Sequence, residues 1–420
     1  MRTLLILLAA TAVAQRSPQT HPSHTTENLR GASTVSQTIA WASGTHGTYL
    51  LTTDAGRNWT PAQVPDAAAL DFRAVVAFSA SEAFLMSAGP GDQSRIYHTT
   101  DAGEHWQLQF TNTNPKGFFD SMVFWDPTHG IVLGDPIPDE TGKLKFELLI
   151  TTDGQTWTPI PPDQLPPAIE GEGAFAASNS CLAILSSTTN SQSSVIPSAH
   201  TLVTPSEAGD LGFASATNGA GPNSTTPTLP WNSGARALHQ SSEKEAASAP
   251  DPNIWFATGG RAARVFHSPD RGQTWQVFDT PILHGPDSAG IFSIVFRDPT
   301  HGVIAGGDYK HPDQDGPNLA FTNDGGKTWT LSQIFPQSYY SAVAYDRGRK
   351  NPKAQDFAEN QAHVRLFLVG PKFIYDFRPP RNPTRISPPR RSGLHFNALS
   401  PYATGGALIV GPKGSIAIIP

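Results

Sequence analysis

Thr52-Thr53-Asp54-Ala55-Gly56-Arg57-Asn58-Trp59 returns as Thr99-Thr100-Asp101-Ala102-Gly103-Glu104-His105-Trp106, and this return decides how the rest of the chain reads. Three further near-copies follow: Thr151-Thr152-Asp153-Gly154-Gln155-Thr156-Trp157, one residue shorter, Ser268-Pro269-Asp270-Arg271-Gly272-Gln273-Thr274-Trp275 and Thr322-Asn323-Asp324-Gly325-Gly326-Lys327-Thr328-Trp329. All approximate Ser/Thr-x-Asp-x-Gly-x-Thr-Trp. In such a segment the carboxylate accepts backbone N–H groups of its own turn, and glycine supplies the positive φ that closes it. The indole then lies as a plate between neighbouring sheets. Asp54, Asp101, Asp153, Asp270 and Asp324, with Trp59, Trp106, Trp157, Trp275 and Trp329, therefore read as structural, neither catalytic nor metal-binding.

A second element repeats between these turns. Phe124-Trp125-Asp126-Pro127-Thr128-His129-Gly130 is echoed by Phe296-Arg297-Asp298-Pro299-Thr300-His301-Gly302, each reading as strand, Asp-Pro turn and next strand. Gly-rich stops follow at Ser43-Gly44, Gly89-Pro90-Gly91, Gly134-Asp135-Pro136, Gly259-Gly260, Gly306-Gly307-Asp308, Gly370-Pro371-Lys372 and Gly411-Pro412-Lys413. The turn aspartates are spaced by 47, 52, 117 and 54 residues, so the third gap holds one repeat and an insertion. From 187 to 251 the chain is rich in Ser, Thr, Asn, Ala and Pro and lacks periodicity, which predicts a disordered loop within the fourth repeat. The remainder divides into seven repeats of roughly 49 residues, the size of a four-stranded blade. The fold expected is all-β, a seven-bladed β-propeller over 29–420.

The ends and the composition bound the remaining choices. Arg2, the apolar run Leu4 to Val13 and Ala12-Val13-Ala14 before Gln15 read as a signal peptide over 1–14, with export to a periplasmic or extracellular space. Residues 15–28 are expected to be a flexible lead into the first blade. No later run approaches the roughly 20 apolar residues of a membrane span, so no transmembrane segment is expected in the mature chain. With 15% charged residues and a net charge of −6, no basic field recruits nucleic acid. Cys181 is the sole cysteine; its apolar run Ser180-Cys181-Leu182-Ala183-Ile184 reads as a buried, inert thiol. No cofactor motif and no metal-ligand spacing is present, and Lys310-His311-Pro312-Asp313-Gln314-Asp315 reads as a loop.

The boxes, the Phe-x-Asp-Pro-Thr-His-Gly repeats and the two C-terminal repeats that lack a box resemble the photosystem II stability/assembly factor-like propellers, a branch of the sialidase-like Asp-box (BNR repeat) superfamily. The resemblance covers roughly residues 29–420 apart from the insertion. It implies an exported propeller that binds a protein partner and assists the assembly or stability of a membrane complex.

The innermost strand of each blade lines a propeller's channel. These strands are expected to begin near Leu29-Arg30-Gly31, Phe72-Arg73-Ala74, Phe119-Asp120-Ser121, Glu172-Gly173-Ala174, Ile291-Phe292-Ser293, Tyr339-Tyr340-Ser341 and Leu394-His395-Phe396. Arg30, Arg73, Asp120, Glu172, Tyr340 and His395 would then meet at one mouth, as a self-satisfied network or as a site for a polar ligand. Asp135, Arg261, Asp308, Lys372 and Lys413 would be rim charges, and Arg378 to Arg391 a basic, proline-rich edge. A protein-binding scaffold is the first reading. The alternative is a sialidase-like or other glycoside hydrolase acting on a glycan through Asp120 and Glu172, since such chemistry needs two carboxyls about 5–10 Å apart. The Arg-Ile-Pro segment usual before the first box of a sialidase is missing.

Overall fold

The computed structural model describes residues 17–185, 253–332, 338–348, 365–371, 373–377, 384–386 and 396–420. By its contacts the chain divides into Met1–Ile196 with Ala249–Pro420, and Pro197–Ser248; only the first unit contains described residues. The expected leader 1–14, the insertion 187–251, Lys372, His395 and most of Arg378 to Arg391 lie outside them. Among the described residues no helix is long and apolar enough to cross a membrane.

The first unit is a seven-bladed β-propeller. In blade 1 the strands Leu29–Thr34, Ala40–Gly44, Thr48–Thr52 and Thr60–Gln63 pair antiparallel in that order. The innermost strands of blades 2 to 7 are Phe72–Ala77, Phe119–Asp126, Leu182–Leu185, Ala289–Phe296, Ala342–Tyr345 and Ala398–Pro401. Successive innermost strands are neighbours around the ring, and Leu29–Thr34 meets Ala398–Pro401 to close it. The undescribed residues 186–252 separate the first two strands of blade 4.

The core lies between blades. Seven apolar clusters each join two successive blades, as where Leu50 and Trp59 of blade 1 pack with Leu408, Val410 and Ile416 of blade 7. Each repeated Trp faces the preceding blade: Trp106 packs on Trp41 and Tyr49, Trp157 beside Phe84, Trp275 beside Phe146, and Trp329 beside Trp255. Every sheet thus buries both faces, so its strands carry near-continuous apolar runs such as Ala-Phe-Leu-Met at 83–86.

The repeated turn joins the third and fourth strands of blades 1 to 5. Its hydrogen bonds recur: the Thr99 hydroxyl donates to Asp101 Oδ1 (2.8 Å), accepts from Gly103 N–H (3.0 Å), and Asp101 Oδ1 accepts from His105 N–H (2.9 Å). Thr52, Thr151, Ser268 and Thr322 do the same with Asp54, Asp153, Asp270 and Asp324. The hydroxyl at the turn's first position is therefore as necessary as the aspartate, a role that sequence reading overlooked. Two successive left-handed residues, such as Ala102 (φ 64°) and Gly103 (φ 89°), close the longer turns; the shorter one at blade 3 uses Gly154 alone (φ 70°). The Asp-Pro turns sit on the same face, where Asp126 Oδ1 accepts from Thr128 N–H (2.8 Å) and His129 N–H (3.0 Å). Asp298 repeats both bonds in blade 5.

One segment departs from expectation. Within 15–28, Gln19–His21 is the outermost strand of blade 7, paired with Ser415–Ile419 through Gln19↔Ile418, Thr20↔Ala417 and His21↔Ile416. The following residues are also tied down: Gly414 N–H donates to Glu27 O (2.7 Å) and Asn28 N–H to Thr45 Oγ1 (3.1 Å). The segment is a clasp, because the last blade has three strands of its own and needs a fourth to cover its edge.

Two outcomes follow. Deleting residues 17–21 should lower stability by more than about 1 kcal/mol, the ordinary cost of a surface change, as read by urea unfolding. Hydrogen bonds from His105 and from Thr156 hold Asp101 and Asp153 down at about 2. Their folded values lie below the unfolded one, so their stabilisation is present above about pH 4 and lost as pH falls from there towards 2. Asp153→Asn should flatten that fall in a pH series of thermal melts.

Candidate functional site

The turns just described occupy one end of the ring; the innermost strands begin at the other. There the pairing of first and second strands slips at one residue in four blades, between Leu29 and Gly31, Phe72 and Ala74, Phe119 and Ser121, and Ile291 and Ser293. Each slip is a β-bulge that leaves its middle residue unpaired and re-aims its side chain. The bulged residues are Arg30, Arg73, Asp120 and Phe292. Their strands start against the Gly-rich stops for a steric reason: a Cβ at Gly44 would lie 2.4 Å from the backbone oxygen of Asn28, and one at Gly134 2.7 Å from that of Phe118.

Arg73 stands between Arg30 and Asp120 and acts on the charge of each. Arg73 Nε donates to Asp71 Oδ2 (2.8 Å), and its guanidinium lies 5.8 Å from the centre of the Phe118 ring. Arg30 Nε is buried without a hydrogen-bond partner among the described residues, and so are Asp71 Oδ1 and Asp120 Oδ2. Burial, then the nearby Arg73, lowers the pKa of Arg30. Burial raises Asp120 well above the usual carboxylate range, and Asp135 adds to it. Burial also brings Asp135 to about 6, although it accepts Ala174 N–H at 2.9 Å.

The other expectations shift. Glu172 does not start blade 4; Leu182–Leu185 does, and Glu172–Gly173 is a two-residue strand paired with Gly259–Gly260 beside blade 5. Its carboxylate is fully engaged, accepting from Arg264 Nε (2.9 Å), Thr258 Oγ1 (2.7 Å) and Ile169 N–H (2.8 Å), with Arg264 Nη2 on Oε2. Asp120 and Glu172 therefore do not form the free carboxyl pair that glycoside hydrolysis requires. Tyr340 is fully buried in the core between blades 5 and 6, and Tyr339 lies near Arg30 instead, as a neutral phenol whose pKa burial drives upward. In blades 6 and 7 the residues at the bulge position are Ser341 and Asn397, because Ala342 and Ala398 pair just before Gly370 and Gly411 as Gly31 pairs just before Gly44. His395 lies outside the described residues.

Sequence reading missed a segment that crosses this end. Between Glu172 and the start of blade 4, residues 174–180 reach four blades. Ala176 O accepts from Arg73 Nη1 (3.4 Å), Asn179 Oδ1 accepts from Met122 N–H (2.7 Å), Ser180 O accepts from Ile294 N–H (2.8 Å), and Ser178 Oγ donates to Ser341 O (2.8 Å). Phe175 stacks on Phe292 at 4.0 Å, and a Cβ on Gly259 beneath it would lie 2.1 Å from its ring. Phe292 meets Tyr339 and Tyr309 edge-on at 4.8 and 6.1 Å, and Tyr309 is 48% exposed. The loop carrying Tyr309 is fixed by Asp308, which accepts from Lys310 N–H (2.9 Å) and His311 Nδ1 (2.8 Å). The mouth thus presents two arginines beside an aromatic wall, over a rigid crossing segment.

No protein-family model and no curated protein matches the chain. Among solved structures it is similar to YCF48 bound to a D1 peptide, at 13% identity over 97% of this chain and 96% of that one, with a TM-score of 0.57. It is similar to YCF48 from Cyanidioschyzon merolae at 16% identity, covering 96% and 99%, with a TM-score of 0.53. The WD40 propeller domain of Doa1 follows at 8% identity, 96% of each chain and a TM-score of 0.51. At these identities the likeness is one of fold. Two of the three are photosystem II assembly factors, the group that the sequence resembles.

The Glu172–Arg264 pair gives a stability test. The Glu172 side chain is 0% and that of Arg264 10% exposed, so Glu172→Gln strands a buried guanidinium. A loss of about 3 kcal/mol is expected in denaturant unfolding.

Proposed function

We propose that this chain is a propeller scaffold that binds a segment of another protein across the mouth formed by Arg30, Arg73, Tyr309 and Tyr339. The observation that carries the reading is the row of bulges, which aims two arginines at one opening and leaves Arg30 Nε unsatisfied. An unsatisfied buried donor is costly unless a ligand completes it. Tyr309 adds a rigid, half-exposed aromatic surface of the kind enriched at interfaces. The D1 peptide held by the YCF48 neighbour supports a peptide as the occupant. Export through the leader at 1–14, and service to the assembly or stability of an envelope or membrane complex, belong to the same proposal.

The test is site-directed photocrosslinking from position 309 in the exporting host. A specific adduct is expected, and Arg30→Glu with Arg73→Glu should reduce it at least about tenfold, the effect of losing one well-desolvated anchor. An adduct unchanged by both substitutions would overturn the reading. Fractionation of the tagged chain, with and without residues 1–14, tests export: retention of the full-length chain in the cytoplasm counts against it.

A further inference from the structure

Asp120 and Asp135 are neighbours by construction of the bulge. Phe119 pairs with Gly134 and Ser121 with Leu133, so the unpaired Asp120 stands beside the residue that follows Gly134. The two carboxyls hold the same crossing segment, Asp135 through Ala174 N–H and Asp120 through Ala176 N–H. Asp120 is 1% exposed, and its second oxygen has no hydrogen-bond partner among the described residues. A lone carboxylate oxygen in that position is far more unfavourable while ionised than once it carries a proton.

Arg73 favours the ionised form of Asp120, but burial and the charge of Asp135 outweigh it. On blade 2, Arg73 spends Nε on Asp71 and Nη1 on Ala176 O. At the start of blade 4, Cys181 faces Asp120 as a neutral thiol, its pKa driven upward by burial. Arg30 on blade 1 acts on this cluster through Arg73 and Asp71, and Tyr339 on blade 6 faces Arg30.

We propose that Asp120 and Asp135 form a pair of neighbouring carboxyls that sets the sign of the charge at the mouth, admitting anionic groups when protonated and repelling them when fully ionised. Asp71 offsets Arg73, which leaves Arg30 as the uncompensated charge. Each carboxyl of the pair that ionises subtracts one charge from it. Burial holds both carboxyls above the usual carboxylate range, Asp120 well above it and Asp135 at about 6, so the change lies above pH 4. This inference rests on the mouth being the partner site, but its first measurement does not.

That measurement is infrared titration of the full chain. A protonated-carboxyl band should persist above about pH 5 and fade as pH rises, with Asp120→Asn and Asp135→Asn each altering it. Absence of such a band overturns the pair. The second measurement uses pyrenetetrasulfonate, an aromatic anion of fixed charge, as a fluorescent probe. Its binding should weaken roughly tenfold between about pH 5 and 8. Arg30→Gln should abolish binding, and Asp135→Asn, at a half-buried position, should remove most of the pH dependence. A titrating band with pH-independent probe binding overturns the charge-sign role. Loss of the position-309 adduct with both results intact would count against the protein partner alone.

Discussion

Seven sheets that are apolar on both faces have one way to escape water, which is to stand in a ring and cover one another. The seven inter-blade clusters are that solution, and each depends on its two flanking blades being held at the right spacing. Closure is therefore the constraint on which the rest depends. If the ring opens, two full sheet faces and their edges become exposed at once. The chain meets the constraint by lending its own beginning to its last blade, so that Gln19–His21 ties the first residues described to the last.

The repeat explains why so much of the architecture is legible. Hydroxyl, aspartate and glycine must recur at fixed offsets for the turn's hydrogen bonds to form, and a Trp must follow to fill the gap to the preceding blade. That demand writes itself into the sequence five times and yields the blade spacing, from which, with the seven Gly-rich stops, the count follows. The clasp leaves no such trace: Gln-Thr-His buries no apolar side chain and is recruited through backbone pairing alone. A strand specified by its partner's unpaired edge cannot be read from its own residues.

The mouth was half legible for a similar reason. At Leu29-Arg30-Gly31, Phe72-Arg73-Ala74 and Phe119-Asp120-Ser121 a large apolar residue, a variable one and a small one mark the bulge, and Arg30, Arg73 and Asp120 stand at its unpaired position. Tyr340-Ser341-Ala342 and Phe396-Asn397-Ala398 follow the same rule, but the paired aromatics of Tyr339-Tyr340 drew the reading one residue early. Because side chains alternate in a strand, one residue separates the core from the mouth. Glu172 failed differently. Leu182–Leu185 opens blade 4 behind Asn179-Ser180-Cys181, which holds no large apolar residue, whereas Glu172 upstream offers a charged side chain before a glycine. Its true role, holding Arg264, joins residues far apart in sequence and leaves no local pattern.

The same side chain is put to opposite uses at the two ends of the ring. In the repeated turns each aspartate collects a hydroxyl and one or more backbone N–H groups at an exposed surface, so its charge is favoured and its pKa falls. At the mouth, bulges carry Asp120 and Asp135 into a crowded interior with a single backbone donor each, and burial outweighs that donor. The donors available decide the outcome. A turn can bend its own N–H groups around a carboxylate, whereas a bulged strand has committed its neighbours to the sheet. Structure is therefore secured at the end where hydrogen bonds are plentiful. The buried arginine and aspartate atoms left wanting a partner among the described residues lie at the other, on Arg30, Asp71 and Asp120, and that end is where a ligand has something to add.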